Sequence, residues 1–166
     1  MTDFLAAKKI IEMLALEPLL EEGGMFKSTY RTSAKIDGKD IGSAIYYFLS
    51  GNAFSHMHRL MTDEVYHFYI GSPVELLELY ADGSSRRVVL GHNIGSGQMV
   101  QTVVKAGAWQ GLRIIDGGSY ALMGTTMSPG YSPGDYEHGN ADYLIRKYPE
   151  CRELIEKLTG ELIYQL

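Results

Sequence analysis

The sequence has a single cysteine, Cys151, five prolines and one tryptophan among 166 residues. One cysteine cannot close a disulfide within the chain and fits a reducing, cytoplasmic setting. No basic-then-apolar leader opens the sequence and no long apolar run interrupts it, so neither secretion nor membrane insertion is expected. There is no stripe of Lys and Arg, and the net charge is −5. Nucleic acid is therefore not an expected partner. No glycine-rich loop follows a strand and opens a helix. The glycines between Gly91 and Gly97 lead into a strand and read as a turn rather than a phosphate cradle.

What is present is a globular balance, with 45% hydrophobic and 21% charged residues, long enough for one domain with a real core. Twelve tyrosines and 19 glycines suit a β-rich chain with many tight turns. Thr2 can cap a helix over residues 3–15, with Phe4, Ala7, Ile11 and Leu14 as its apolar stripe. Pro18 lies past its end and Gly23-Gly24 break the chain. Nine strands are expected at 26–33, 44–50, 56–60, 64–71, 74–80, 86–90, 100–105, 109–115 and 119–126. Turn signals such as Asp37-Gly38, Asp82-Gly83 and Asp116-Gly117-Gly118 separate them. Strands at this spacing without intervening helices predict a sandwich or barrel. Two short helices follow, one from Asn140 or Asp142 to Lys147 and one from Pro149 to Leu158.

The stretch Ser55 to Gly71 carries the chemistry. His56 and His58 are two apart, a spacing that puts two side chains on one face of a regular strand. Beyond a turn at Met61-Thr62-Asp63, the residues Glu64, Tyr66, Phe68 and Ile70 share a face, with Val65, His67 and Tyr69 on the other. Two imidazoles and one carboxylate aimed at one point are a metal-ligand set of the kind that suits non-haem iron. The plainer alternative is two half-buried histidines and a Glu64 paired to Arg59. His67 is expected to look away from any interior site. His92 and His138 are expected in solvent, and Cys151 has no base beside it in sequence.

These motifs resemble the cupin superfamily. Its first motif reads His-x-His, a few residues, Glu, six residues, Gly, and His56-Met57-His58 with Glu64 through Gly71 follows it. The gap from His58 to Glu64 is one residue longer than the common form. The second motif is matched by Gly97 through Gln110, with Lys105 in place of the usual Pro and Gln110 in place of the usual His. Further stretches are similar to one small branch of cupins of mostly unknown function: Gly23-Gly24-Met25-Phe26, Ala44 to Leu49, Ala106 to Gln110, Ser128-Pro129-Gly130-Tyr131 and Tyr148-Pro149-Glu150. The branch is similar in shape to sugar-nucleotide epimerases of the rhamnose pathway and to seed storage proteins.

The resemblance implies an all-β fold, a double-stranded β-helix or jelly-roll barrel over residues 25–128, with terminal helices 3–15 and 140–158 packed outside. It also implies two alternatives: a metal set of His56, His58, Glu64 and Gln110 for one divalent Fe, Mn, Ni or Zn ion, with Gln110 as a weak donor that leaves a coordination position open, or a pocket that has lost its metal and holds none. Barrels of this size enclose a ligand cavity. Phe68, Tyr66 and Trp109 are expected as its aromatic walls, and Tyr47, Arg59 and Gln101 as polar contacts near its mouth. His58, Glu64 and Tyr66 are the expected catalytic groups. Three readings stay open: an isomerase, epimerase or lyase on a small sugar-like or carbonyl metabolite, a non-catalytic metabolite binder, and a structural protein. A homodimer is expected because open sheet edges in such folds are covered by a partner chain.

Overall fold

The structure, a computed structural model, describes residues 2–164, with side chains from residue 5 onward. The expected capping by Thr2 and packing of Phe4 therefore lie outside the described side chains. Among the described residues, thirteen strands and three α-helices follow the order α1 (Thr2–Leu14), β1 (Glu17–Pro18), β2 (Met25–Arg31), β3 (Lys35–Ile36), β4 (Lys39–Asp40), β5 (Ser43–Ser50), β6 (Phe54–Arg59), β7 (Glu64–Gly71), β8 (Val74–Leu79), β9 (Ser85–Leu90), β10 (Gln101–Val104), β11 (Trp109–Ile114), β12 (Tyr120–Met127), β13 (Glu137–His138), α2 (Ala141–Lys147) and α3 (Arg152–Lys157). All nine expected strands form, within one or two residues of the expected bounds.

Two sheets face each other. One has the order β1-β2-β5-β12-β7-β10 and the other β13-β6-β11-β8-β9, with β3 and β4 as a separate hairpin. All pairings between these strands are antiparallel, and strands distant in sequence lie side by side, as in a jelly roll. The sheets are stacked rather than closed into one continuous barrel ladder. Strand alternation sets the layers. On β5, Tyr47 and Leu49 point between the sheets, whereas Phe48 points outward to join Ala7, Leu16 and Leu122 beneath α1. On β11, Leu112 and Ile114 face inward. Trp109 faces outward and packs with Met57, Leu77 and Leu79 under α2 and α3. Burying a side chain such as Phe48 stabilises by about 1.5–3 kcal/mol, so the outer clusters hold the terminal helices by burial. Asn140 caps α2 by accepting a hydrogen bond from the Tyr143 amide at 2.9 Å, as its sequence position predicts.

The link from α1 to β2 crosses close to β6. A Cβ on Gly23 would strike the Phe54 carbonyl, and one on Gly24 would crowd the Phe48 carbonyl and the Leu49 side chain. Both glycines also adopt positive φ, at 97° and 69°, where other residues are strained. The His56 amide donates to the Glu22 carbonyl at 2.7 Å. The paired glycines thus let the chain lie against β6 and deliver Glu22 to the interior. Among the described residues, no helix is long and apolar enough to cross a membrane.

Candidate functional site

At one end of the inter-sheet space lies a cavity of about 320 Å³, walled by Leu19, Leu20, Phe26, Ile45, Leu60 and Met127. Glu22 and Glu64 line it, with Thr125, Tyr131 and Tyr136. The linker brings the Glu22 carboxylate against β6, where it accepts from the Ser55 hydroxyl at 2.5 Å. Tyr47 stands behind it and donates to the Gly23 carbonyl at 3.0 Å. The Glu22 side chain is 17% exposed, and it is one of the groups facing the cavity. Burial pushes its pKa up to about 7, against smaller opposing effects of the Ser55 hydrogen bond and the nearby Tyr47 hydroxyl.

Glu64 opens β7 and is buried. Gln110, directly across the sandwich, donates its amide to Glu64 Oε2 at 2.8 Å. Burial raises the Glu64 pKa, and the Glu22 charge raises it further; His58 and the hydrogen bonds from Thr125 and Gln110 oppose this. Tyr66, two residues along the same face, stands beside Glu64, and burial, with the Glu64 charge adding to it, holds its phenol well above the usual tyrosine range.

His58 and Gln110 are cross-strand partners on β6 and β11, each 1% exposed. His58 Nδ1 lies 2.7 Å from the His56 carbonyl. A carbonyl only accepts, so Nδ1 carries the proton and Nε2 presents a bare lone pair. Burial lowers the His58 pKa, keeping the ring neutral near neutral pH. Its Nε2 faces Glu22 Oε2 across 4.0 Å, beyond hydrogen-bond length, and has no partner among the described residues. Gln110 Oε1 is likewise buried and unpartnered.

His56 does not join this group. Between β6 and β11 the register steps from Gln110 opposite His58 to Leu112 opposite Ser55. Three steps on β6 match two on β11, which is a β-bulge. The extra residue cancels the two-residue periodicity, so Ser55 and His58 face inward while His56 does not. Its ring instead stacks on His138 at 3.7 Å between centroids. Its Nδ1 sits 2.9 Å from the Met57 carbonyl, and the ring also meets the Thr159 backbone.

Four other expected contacts lie elsewhere. Trp109 and Arg59 are on the outer face, with the guanidinium 4.7 Å over the indole and paired to Glu137 at 2.7 Å. Gln101 is on the exposed side of the other sheet, bonded to His67 at 3.1 Å. Phe68 is inside but packs edge-on against His92 at 4.9 Å, away from the cavity. Ile70 is 42% exposed, because a second register shift opposite Leu122 and Met123 interrupts β7. His67 looks outward, as expected, and meets Thr126 at 3.0 Å. His138 is exposed but ring-stacked, so it is not simply solvated.

The expected set thus converges only in part: His58, Glu64, Gln110, Tyr66 and Tyr47 come together, and Glu22 joins them unforeseen. In sequence Glu22 belongs to Glu21-Glu22-Gly23-Gly24, which reads as a solvated turn. Its only local signal is the glycine pair, which announces a close backbone approach without naming the partner. Among the described residues, no three His, Cys, Asp or Glu side chains are placed to hold a metal ion. One imidazole is present instead of two, and Glu64 is already committed to Gln110. This donor set does not fit the expected metal centre.

A family model described as Cupin superfamily (DUF985) matches residues 8–139. The chain is similar to protein SO0799 from Shewanella oneidensis, with 29% identity and a TM-score of 0.87 over 93% of this chain and 97% of that one. It is also similar to a hypothetical protein from Leishmania major, with 27% identity and a TM-score of 0.86 over 93% and 99%. Oxalate decarboxylase from Bacillus subtilis shares the fold at 13% identity, with a TM-score of 0.57 over 90% of this chain and 39% of that one. No curated protein matches the sequence.

Proposed function

Because the chain belongs to this DUF985 family of the cupin superfamily, we propose that its cavity binds a small metabolite and moves a proton on it. One observation carries the reading. A carboxyl group that lines the cavity, its pKa pushed up to about 7, faces across 4.0 Å the bare Nε2 of a neutral imidazole buried behind the lining. A base and an acid that are both competent near neutral pH are what general acid–base catalysis requires.

On a carbonyl compound, His58 Nε2 takes the proton from the adjacent carbon while protonated Glu22 gives its proton to the carbonyl oxygen. The product is an enol. Returning a proton to the other carbon gives isomerisation, returning it to the opposite face gives epimerisation, and loss of a β-substituent gives elimination. Ser55 orients the Glu22 carboxyl, Tyr47 holds the Gly23 backbone beside it, and Glu64 holds Gln110. A cavity of about 320 Å³ is at the small end of ligand sites, which suits a compact metabolite. The apolar walls favour a second reading, a binder without turnover.

The test is incubation of the protein, purified without chelator and assayed for bound metals, with small carbonyl compounds in D₂O, following carbon-bound protons by NMR. Exchange that is lost in Glu22→Gln and His58→Gln supports the enzyme. A ligand that raises the melting temperature without any exchange supports the binder. Stoichiometric transition metal would overturn the metal-free acid–base scheme.

The free edge of β10 and the exposed Tyr69, Ile70 and Val103 nearby support a homodimer across that edge. Light scattering at twice the chain mass is the expected result, and a monomer at micromolar concentration would overturn it.

A further inference from the structure

We infer that Tyr136 is a door between the cavity and His58: its ring turns out of the cavity wall into a neighbouring hollow and so admits a ligand to the imidazole. This rests on reading His58 as the base, and it adds how that base is reached.

With the door shut, the proposed pair is split. Glu22 lines the cavity and His58 does not. His58 is 1% exposed, so a ligand in the cavity meets the acid but not the base. Two lining side chains lie against the imidazole. Glu22 Oε2 is 4.0 Å from Nε2. The Tyr136 ring is stacked on the imidazole, with 5.2 Å between centroids and 18° between planes. Glu22 is tied in place, because its carboxylate accepts from the Ser55 hydroxyl and its carbonyl accepts from the His56 amide. Tyr136 is the cover that can move.

The backbone on each side of Tyr136 is pinned. Asp135 is buried and paired to Lys39 at 2.7 Å. The Gly139 amide donates to the Met57 carbonyl at 2.7 Å. Motion is therefore left to the side chain, which turns between staggered rotamers. Its hydroxyl is the latch. It donates to the Glu21 carbonyl at 3.0 Å and lies 3.1 Å from His138 Nδ1. A phenol has one proton to give and a carbonyl only accepts, so His138 Nδ1 donates to the phenol oxygen. Glu21 and His138 are exposed, and water replaces both hydrogen bonds when the ring leaves. Space for the ring is at hand. Tyr136 also lines a hollow of about 490 Å³, with Leu20, Glu21, Pro133, His138 and Leu162. Leu20 and Glu21 border the cavity as well, so the ring's departure joins the two spaces beside His58. A gate of this kind admits a ligand and then shuts water out.

The test is the reactivity of His58 towards diethyl pyrocarbonate at neutral pH, mapped residue by residue by mass spectrometry. A bare ring nitrogen takes up the carbethoxy group, releasing carbon dioxide and ethanol. In the wild-type protein His58 should react far more slowly than His92, which is exposed and away from the cavity. Tyr136→Phe keeps the ring and loses the latch, so His58 should react roughly tenfold faster, the worth of about one hydrogen bond. Tyr136→Ala removes the ring too and should bring His58 near the rate of His92. If the alanine variant does not fold, the phenylalanine variant against wild type decides. Buried Cys151 reports general loosening, and its alkylation by iodoacetamide should stay unchanged throughout. Equal His58 rates in all the proteins, a wild-type His58 as reactive as His92, or a rise matched at Cys151 overturns the inference. The expected order of rates without any proton exchange leaves the door standing and fails the catalytic reading. Proton exchange with a His58 indifferent to Tyr136 does the reverse.

Discussion

The two halves of the inter-sheet space are made by the same strands and filled in opposite ways. In one half Leu49, Leu76, Leu90, Leu112 and Met123 are fully buried and pack together. In the other, β6, β7, β11 and β12 turn His58, Glu64, Gln110 and Thr125 inward beside a cavity. The change happens along single strands, from Leu112 to Gln110 on β11 and from Phe68 through Tyr66 to Glu64 on β7. Dense packing in the first half fixes the frame. That rigidity allows the second half to keep acceptors unpaired and carboxylates desolvated, conditions that would relax in a looser setting. Stability and chemistry are thereby assigned to opposite ends of one interior.

The largest effect should come from the polar half. His58→Gln removes the base but keeps a group of similar reach. Proton exchange should fall roughly 10²- to 10⁴-fold with little change in melting temperature. Exchange that survives the substitution removes His58 from the chemistry. The packed half should behave in the opposite way. Leu112→Ala should cost about 3 kcal/mol in a urea melt and leave exchange per folded molecule unchanged. A folded Leu112→Ala protein that has lost ligand binding would show that the halves are not separable.

The third test uses pH. Glu22 has a pKa of about 7 in the folded protein against 4.5 as its ordinary value. Between these values the unfolded chain has lost the proton while the folded chain keeps it. Stability from this group therefore falls as pH rises from 4.5 to 7 and is level above, a loss of about 3 kcal/mol at most. Glu64, also raised, slopes the same way. His58, lowered, slopes the other way, losing stability as pH falls below its unfolded value. Comparing Glu22→Gln with wild type isolates one group. The variant should be more stable at pH 8, by about 1–3 kcal/mol, and nearly equal at pH 4.5. Parallel stability curves for the two proteins would show that Glu22 titrates normally.

Much of this frame is legible in the sequence, for local reasons. Turn dipeptides and β-rich runs bound the nine long strands, and Asn140 marks a helix start because its side chain can cap. The site was less legible. Trp109 and Gln110 are neighbours on one strand, and neighbours face opposite ways, so placing Gln110 inside already puts Trp109 outside. Arg59 beside His58 follows the same rule. His56 is different: its spacing from His58 is correct for a shared face, and only the pairing with β11 reveals the extra residue. A bulge belongs to two strands at once and leaves little trace in either. Glu22 was hidden because its role comes from a linker that crosses a strand far along the chain.

The smallest expected effect separates the two histidines directly. The His56 ring touches His138 by stacking and meets the backbone at Met57 and Thr159. His56→Phe keeps a flat ring for the stack and gives up the polar contacts, a loss of about 1 kcal/mol in a urea melt. Nothing in those contacts reaches the cavity, so proton exchange should match wild type within error. His58→Phe carries the same change two residues along, and it should remove the exchange. If His56→Phe instead abolished binding, the bulge would not hold His56 out of the site. The two halves of the interior would then share a boundary different from the one drawn by the register of β6 and β11.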